Sequence, residues 1–196
     1  MKEPILYKIL IPLNKLFMKL YSPTYIGLSN IPKKEAVILA GNHTSKLDPQ
    51  LLMSSTNRCI HFLAKIELFR GIKKYFFKNV GIIPVDRSKK NPQAVNLANK
   101  YLLDNKVIGI FPESTINKTD NIIMPFKYGA VKMAKETGAK IIPFSITNEY
   151  RLLKKSVTIC FGKPYHVTGN IEEENKILEE KVSKLIRSNL WKKNIK

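Results

Sequence analysis

Short apolar runs recur along this chain, and most of the gaps between them carry a helical pattern. The runs lie at 36–40, 60–64, 80–85, 107–111, 140–146 and 156–162. Each is rich in Ile, Val, Leu and Phe and short enough to read as a buried strand. Between them, 49–56, 66–79, 92–104 ("PQAVNLANKYLLD") and 127–137 ("KYGAVKMAKET") space their apolar residues three and four apart, as one helix face requires. A long closing helix begins at Ile171, acidic at its start and basic at its end, as the helix dipole prefers. Strands alternating with helices specify an α/β domain, with a mostly parallel central sheet flanked by helices on both faces. Pro143 is unexpected inside such a strand and predicts a bend or an edge there.

Residues 1–21, "MKEPILYKILIPLNKLFMKLY", stand apart from this alternation. On a helical wheel Lys8, Lys15 and Lys19 share one narrow sector. Ile5, Leu6, Ile9, Leu10, Leu13, Leu16, Phe17 and Leu20 fill the broad opposite face. Such a helix can pack on a domain or lie in a membrane interface. The apolar face is wider than a surface helix needs, which predicts an amphipathic membrane-associating helix over 1–21, kinked at Pro12. The remaining residues, 22–196, form one domain.

The net charge is +19, from 34 basic and 15 acidic residues, and the lysines are spread along the whole length. A surface of this kind attracts polyanions, whether lipid headgroups, an acidic protein or nucleic acid. No helix-turn-helix, ribonucleoprotein aromatic motif or zinc-finger spacing is present, which argues against nucleic acid. Cys59 and Cys160 are isolated and read as reduced, buried thiols. No apolar run reaches the ~20 residues needed to span a bilayer, and no signal-peptide cleavage pattern is evident.

Open α/β sheets bind ligands beyond the carboxyl ends of their strands, so the residues that follow each run belong to one rim. These are "GNHTSKLD" (41–48), "DRSKK" (86–90) and "PESTINK" (112–118). Asp48 precedes Pro49 and reads as a helix N-cap with proline at the first helical position. Asp48 could also accept a bond from one ring nitrogen of His43, fixing the tautomer and leaving the other nitrogen as a base. Ser45 and Thr44 lie close by, but no GxSxG elbow surrounds them. A His–Asp pair without a serine nucleophile suits a reaction whose substrate brings its own hydroxyl, which is acyl transfer to an alcohol.

Four blocks then resemble the glycerolipid acyltransferases, especially the 1-acylglycerol-3-phosphate acyltransferases. "NHTSKLD" matches their His-x4-Asp block with His43 and Asp48, and "GIIPVDR" (81–87) matches the second. "FPESTI" (111–116) matches the third, and "IIPFSI" around Pro143 the fourth. The resemblance runs from about Tyr25 to Tyr165. It implies His43 as general base with Asp48 orienting it. It implies Arg87, Glu113 and Thr115 around the acceptor's phosphate, with Ser114 and Lys118 expected beside them, and Pro143 along the acyl-donor side. The donor it implies is a fatty acyl thioester on acyl carrier protein or coenzyme A, the acceptor a lysophospholipid, foremost lysophosphatidate, with no metal or cofactor. An anionic membrane surface is the expected partner, and the cytoplasmic face of the cell membrane the expected location, held peripherally or monotopically. In the third block Ser114 replaces a glycine and Ile116 an arginine. Phosphate binding would then rely on Arg87 and Lys118, or the acceptor would be another lysolipid or an acylated amino-acid lipid. The non-enzyme alternatives are a basic nucleic-acid-binding protein and an inactive lipid-binding protein.

Overall fold

The computed structural model describes residues 3–71, 73–86 and 92–194, so Arg87 lies outside the described residues. Seven strands form one sheet: β1 (Thr24–Ile26), β2 (Val37–Gly41), β3 (Ile60–Lys65), β4 (Ile83–Val85), β5 (Val107–Ile110), β6 (Lys140–Thr147) and β7 (Thr158–Phe161). Their spatial order is β1-β7-β6-β2-β5-β3-β4, and every neighbouring pair is parallel except β6 with β7. The helices are α1 (Ile5–Lys19), α2 (Asp48–Ser54), α3 (Lys73–Val80), α4 (Pro92–Leu103), α5 (Gly129–Thr137) and α6 (Ile171–Asn194). The expected α/β architecture is therefore present, with strands close to the expected runs.

Both faces of the sheet are covered by apolar clusters. Along β2, Ile38 and Ala40 join a cluster with Ala94, Ala98 and Leu102 of α4, Val131 of α5 and Leu178 of α6. Val37 and Leu39 point the other way, into a cluster with Leu51 and Leu52 of α2 and Met18 of α1. A two-residue period with both faces covered explains why β2 is apolar throughout. Cys59 and Cys160 are buried, unbridged thiols, and burial pushes the Cys59 thiol up to about 12.

Two local expectations change, and one strand is new. The segment 66–79 is not one helix but a short 3-10 turn, Ile66–Phe69, followed by α3. Arg70 is extended and Gly71 adopts φ +57°, a left-handed geometry that ends a right-handed helix. Pro143 lies on an interior strand, not at an edge. Its carbonyl accepts the Gly162 N–H at 2.8 Å, and the next pairing down is Ile141 with Tyr165. From Phe144–Phe161 to Ile141–Tyr165, β6 therefore advances three residues while its partner advances four. That is a bulge, the one interior place where a residue without an N–H is tolerated. Finally, β1 carried no recognisable signal, being three half-buried residues paired only with β7.

α1 is a helix that continues through Pro12 and carries two apolar faces. Its inner face is pinned, and Leu6 and Leu10, expected on the membrane side, pack inward with Ile11 against the Tyr7, Cys59 and Val80 cluster. Tyr7 and Met18 are buried, Tyr7 Oη donates to Arg58 O and accepts the Ile60 N–H, and Asn14 donates to Gln50 O. The outer face exposes Ile5, Ile9, Leu13, Leu16, Phe17 and Leu20.

Candidate active site

The rim at the carboxyl ends of β2, β5 and β6 collects the polar groups. β2 ends at Gly41, and Asn42 takes over the ladder with its side chain: Nδ2 donates to Ile146 O at 2.9 Å and Oδ1 accepts the Ile146 N–H at 2.7 Å. This bond pair anchors the loop to β6 just before His43. Gly41 has room for no side chain, because a Cβ there would run into the backbone and ring of Phe144.

His43 donates from Nδ1 to Asp48 Oδ2 at 2.8 Å, and its ring stacks on Phe111 with centroids 4.2 Å apart. The side chain is 17% exposed. Among the described residues, no protein group is bonded to Nε2. Asp48 is the centre of the arrangement. It is 0% exposed. Oδ2 also accepts the Thr44 N–H at 2.6 Å and the Ser45 N–H at 2.8 Å, while Oδ1 accepts from Tyr150 Oη at 2.7 Å and Thr44 Oγ1 at 3.2 Å. A fully buried carboxylate survives only with such compensation. The expected N-cap role is not what the carboxylate does. Leu47 holds the cap position without a side-chain bond, α2 starts at Asp48 itself, and the carboxylate turns back onto the preceding loop.

Glu113 supports the histidine from the other side. It is 4% exposed. Its two oxygens accept the His43 N–H at 2.7 Å and the Met124 N–H at 2.8 Å. Burial pushes its carboxyl above the usual range, and the two backbone bonds pull against that. With both oxygens engaged, Glu113 ties the β5 loop to the β2 loop. The Asn117 N–H adds a second tie between the two loops, to His43 O at 2.8 Å, which runs residues 115–118 alongside the histidine. Thr115 and Lys118 are exposed on that segment, and Ile116 is partly buried between them.

Ser114 closes a turn whose Ser114 N–H bonds Phe111 O at 2.9 Å, with Pro112 at the second position. Its φ is +64°, the left-handed region where a side chain costs roughly 1 kcal/mol relative to glycine. Ser114→Gly should therefore raise the melting temperature, with a gain of about 1 kcal/mol readable by denaturant titration.

The structure thus brings His43, Asp48, Glu113 and the segment 114–118 together, and sets Pro143 in β6 opposite Ala40 of β2. Tyr150, Phe111 and Asn42 were not foreseen as site residues. Tyr150 lies 102 residues from Asp48 in sequence, and burial together with the carboxylate beside it drives its hydroxyl far above the usual tyrosine range. It therefore serves Asp48 as a donor and not as an acid or base. Chemically, the geometry offers one imidazole nitrogen on a half-open rim, backed by a buried anion that can balance a positive charge on the ring.

A family model described as acyltransferase matches residues 22–147. The chain is 31% identical over 174 residues to a 1-acyl-sn-glycerol-3-phosphate acyltransferase of Borreliella burgdorferi, covering 85% of this chain and 69% of that one. It is 30% identical over 145 residues to the protein of the same name in Bacillus subtilis, covering 70% of each. Its fold matches the crystal structure of the 1-acyl-sn-glycerophosphate acyltransferase of Thermotoga maritima with a TM-score of 0.74 and 25% identity, over 91% of this chain and 78% of that one.

Proposed function

Because this chain belongs to the acyltransferase family, we propose that it moves a fatty acyl group from a thioester to the 2-hydroxyl of lysophosphatidate. The observation that carries the reading is the orientation of His43, with Nδ1 spent on the buried Asp48 and Nε2 left to the rim. Nε2 takes the proton of the acceptor hydroxyl as its oxygen attacks the thioester carbonyl. The tetrahedral intermediate then collapses, the carbon–sulfur bond breaks, and Nε2–H returns its proton to the departing thiolate. Asp48 balances the imidazolium in between, and Tyr150, Thr44 and Ser45 hold Asp48 in place. No covalent acyl-enzyme is needed.

Glu113 acts here as a brace for the His43 backbone and not as a contact to the acceptor's phosphate, since both oxygens are engaged and a second anion beside it would be repelled. The phosphate falls instead to Lys118, to Arg87 and to the hydroxyls of Ser114 and Thr115. The acyl donor is carried by acyl carrier protein or coenzyme A, and its chain runs on the Pro143 side. The reaction takes place at the cytoplasmic face of the cell membrane, held there peripherally or monotopically. Supporting this, α1 turns an apolar strip outward while its inner face is fastened to the domain. No described helix is long and apolar enough to cross a bilayer.

Ile116 favours one second reading, a lysolipid of another headgroup, because it stands beside His43 where the resembled block carries arginine. Presenting the purified protein with acyl thioesters on both carriers and a panel of lysolipids decides between them. Lysophosphatidate should be the best acceptor, and Ile116→Arg should lower its apparent KM about tenfold, the worth of one charge-assisted bond. An Ile116→Arg enzyme that loses activity on a better, non-phosphatidate acceptor would reassign the headgroup.

A further inference from the structure

We propose that Leu152 and Leu153 form a second lipid-inserting element, contiguous with the outer face of α1, which seats the catalytic rim on an anionic membrane. The proposal rests on the reading of α1 as a lipid-facing helix and extends it to a segment with no part in that reading. Leu152 is 59% and Leu153 76% exposed, at the tip of the connection between β6 and β7. Two adjacent leucines in water are a poor use of a loop, and here the loop is held so as to present them. The Leu153 N–H donates to Leu20 O at 2.6 Å, fastening the tip to the end of α1. Ser156 Oγ accepts the Arg151 N–H at 3.0 Å and closes the loop at its base. Leu153 itself has φ +57°, a conformation leucine rarely adopts, kept at a position where its side chain touches water.

The tip continues an apolar surface already present. Leu16, Phe17 and Leu20 are exposed at the adjoining end of α1. Tyr21 bridges the two elements edge-on, packing against Phe17 on one side and Tyr150 on the other. The charge around the tip selects the occupant. Lys154 and Lys155 follow the leucines directly and Lys19 stands beside Leu20, all exposed. Arg151 precedes them, paired with Glu149 at 3.0 Å. An apolar tip in a lysine collar fits a lipid surface whose headgroups are negative, with leucines among the acyl chains and lysines at the phosphates. The link to the site is short: Tyr150, which donates to Asp48, is the residue next to Arg151. Seating the tip in lipid therefore brings the His43–Asp48 pair to the level from which a lysolipid is drawn.

The test uses the full chain and vesicles of phosphatidylcholine mixed with phosphatidylglycerol. Leu152→Ser combined with Leu153→Gly removes both side chains, and glycine suits the positive φ, so the melting temperature should hold. Vesicle affinity should fall about tenfold or more, while turnover of a short-chain, monomeric lysophosphatidate stays at the parent level. Lys154→Glu with Lys155→Glu should remove the preference for phosphatidylglycerol. Vesicle binding within twofold of the parent for the leucine variant would overturn the proposal. If Leu13→Ser with Leu16→Ser abolishes binding while the tip variant does not, the tip fails and the α1 reading stands. If neither pair changes binding, both fail. A tip variant that binds vesicles normally but loses activity only with acyl-carrier-protein thioesters would assign the surface to that protein instead and overturn the lipid assignment.

Discussion

His43→Ala should reduce kcat by about a thousandfold or more while leaving the melting temperature close to that of the parent. The rate follows from the chemistry: removing a general base costs about 10²–10⁴-fold, and no other described group bonded around Asp48 can take its place. Tyr150 holds its proton too tightly, and Thr44 donates to the carboxylate. The stability follows from the packing. The His43 backbone is fixed through Glu113 and Asn117 independently of the ring. What the imidazole itself adds is one bond to Asp48 and a stack on Phe111. Circular dichroism and a thioester-release assay on the same preparation check both halves. A His43→Ala protein with a tenth or more of the parent rate would remove the histidine from the mechanism.

Asp48→Asn should be nearly as damaging, and unlike the histidine change it should also weaken the fold. A helix-capping aspartate would tolerate asparagine well. This carboxylate would not, because its two oxygens between them accept bonds from His43, Thr44, Ser45 and Tyr150. An amide nitrogen at the Oδ2 position would confront the His43, Thr44 and Ser45 N–H donors. It must therefore take the Oδ1 position, where the Tyr150 and Thr44 hydroxyls have to turn from donating to accepting, at a cost of roughly 1 kcal/mol. The amide also fails to balance the imidazolium and can select the wrong tautomer, for which about a thousandfold loss of kcat is expected. Tyr150→Phe separates the two effects. It removes one donor from Oδ1, keeps the ring packed on Tyr21, and should cost about tenfold in kcat with little change in KM. An Asp48→Asn enzyme of full activity and stability would return Asp48 to the status of a local turn residue.

Much of this architecture is written in local pattern. Buried strands such as Val37–Gly41 and Val107–Ile110 are runs that only a two-sided sheet can absorb, and the helices between them show their inner faces at three- and four-residue spacing. What fails locally fails for a physical reason. The 66–79 pattern is helical in its side chains, but Gly71 reverses the backbone within it. β1 buries too little to leave a periodicity. In the site, His43 and Asp48 are close enough in sequence to be read as a pair. The partners that give Asp48 its character are not. Tyr150 arrives from the connection after β6, 102 residues away, and nothing in its neighbours marks it as a donor to a carboxylate. Glu113 was legible as a block residue, yet its carboxylate faces backbone N–H groups that only the folded chain brings within reach. The outward apolar strip of α1 was visible as excess hydrophobic width, whereas its inner seam of buried Tyr7 and Met18 and half-buried Asn14 needed the domain to define it.

The most direct measurement follows both halves of the reaction at once. The full chain is mixed with a long-chain acyl thioester in vesicles, with and without lysophosphatidate, and free thiol, phosphatidate and protein-bound acyl groups are quantified together. A histidine base acting on the acceptor's own hydroxyl predicts thiol release only when lysophosphatidate is present, in one-to-one proportion with phosphatidate, and no acyl group on the protein. Thiol released without acceptor, or an acyl ester recovered on Ser45 or Thr44, would contradict that account.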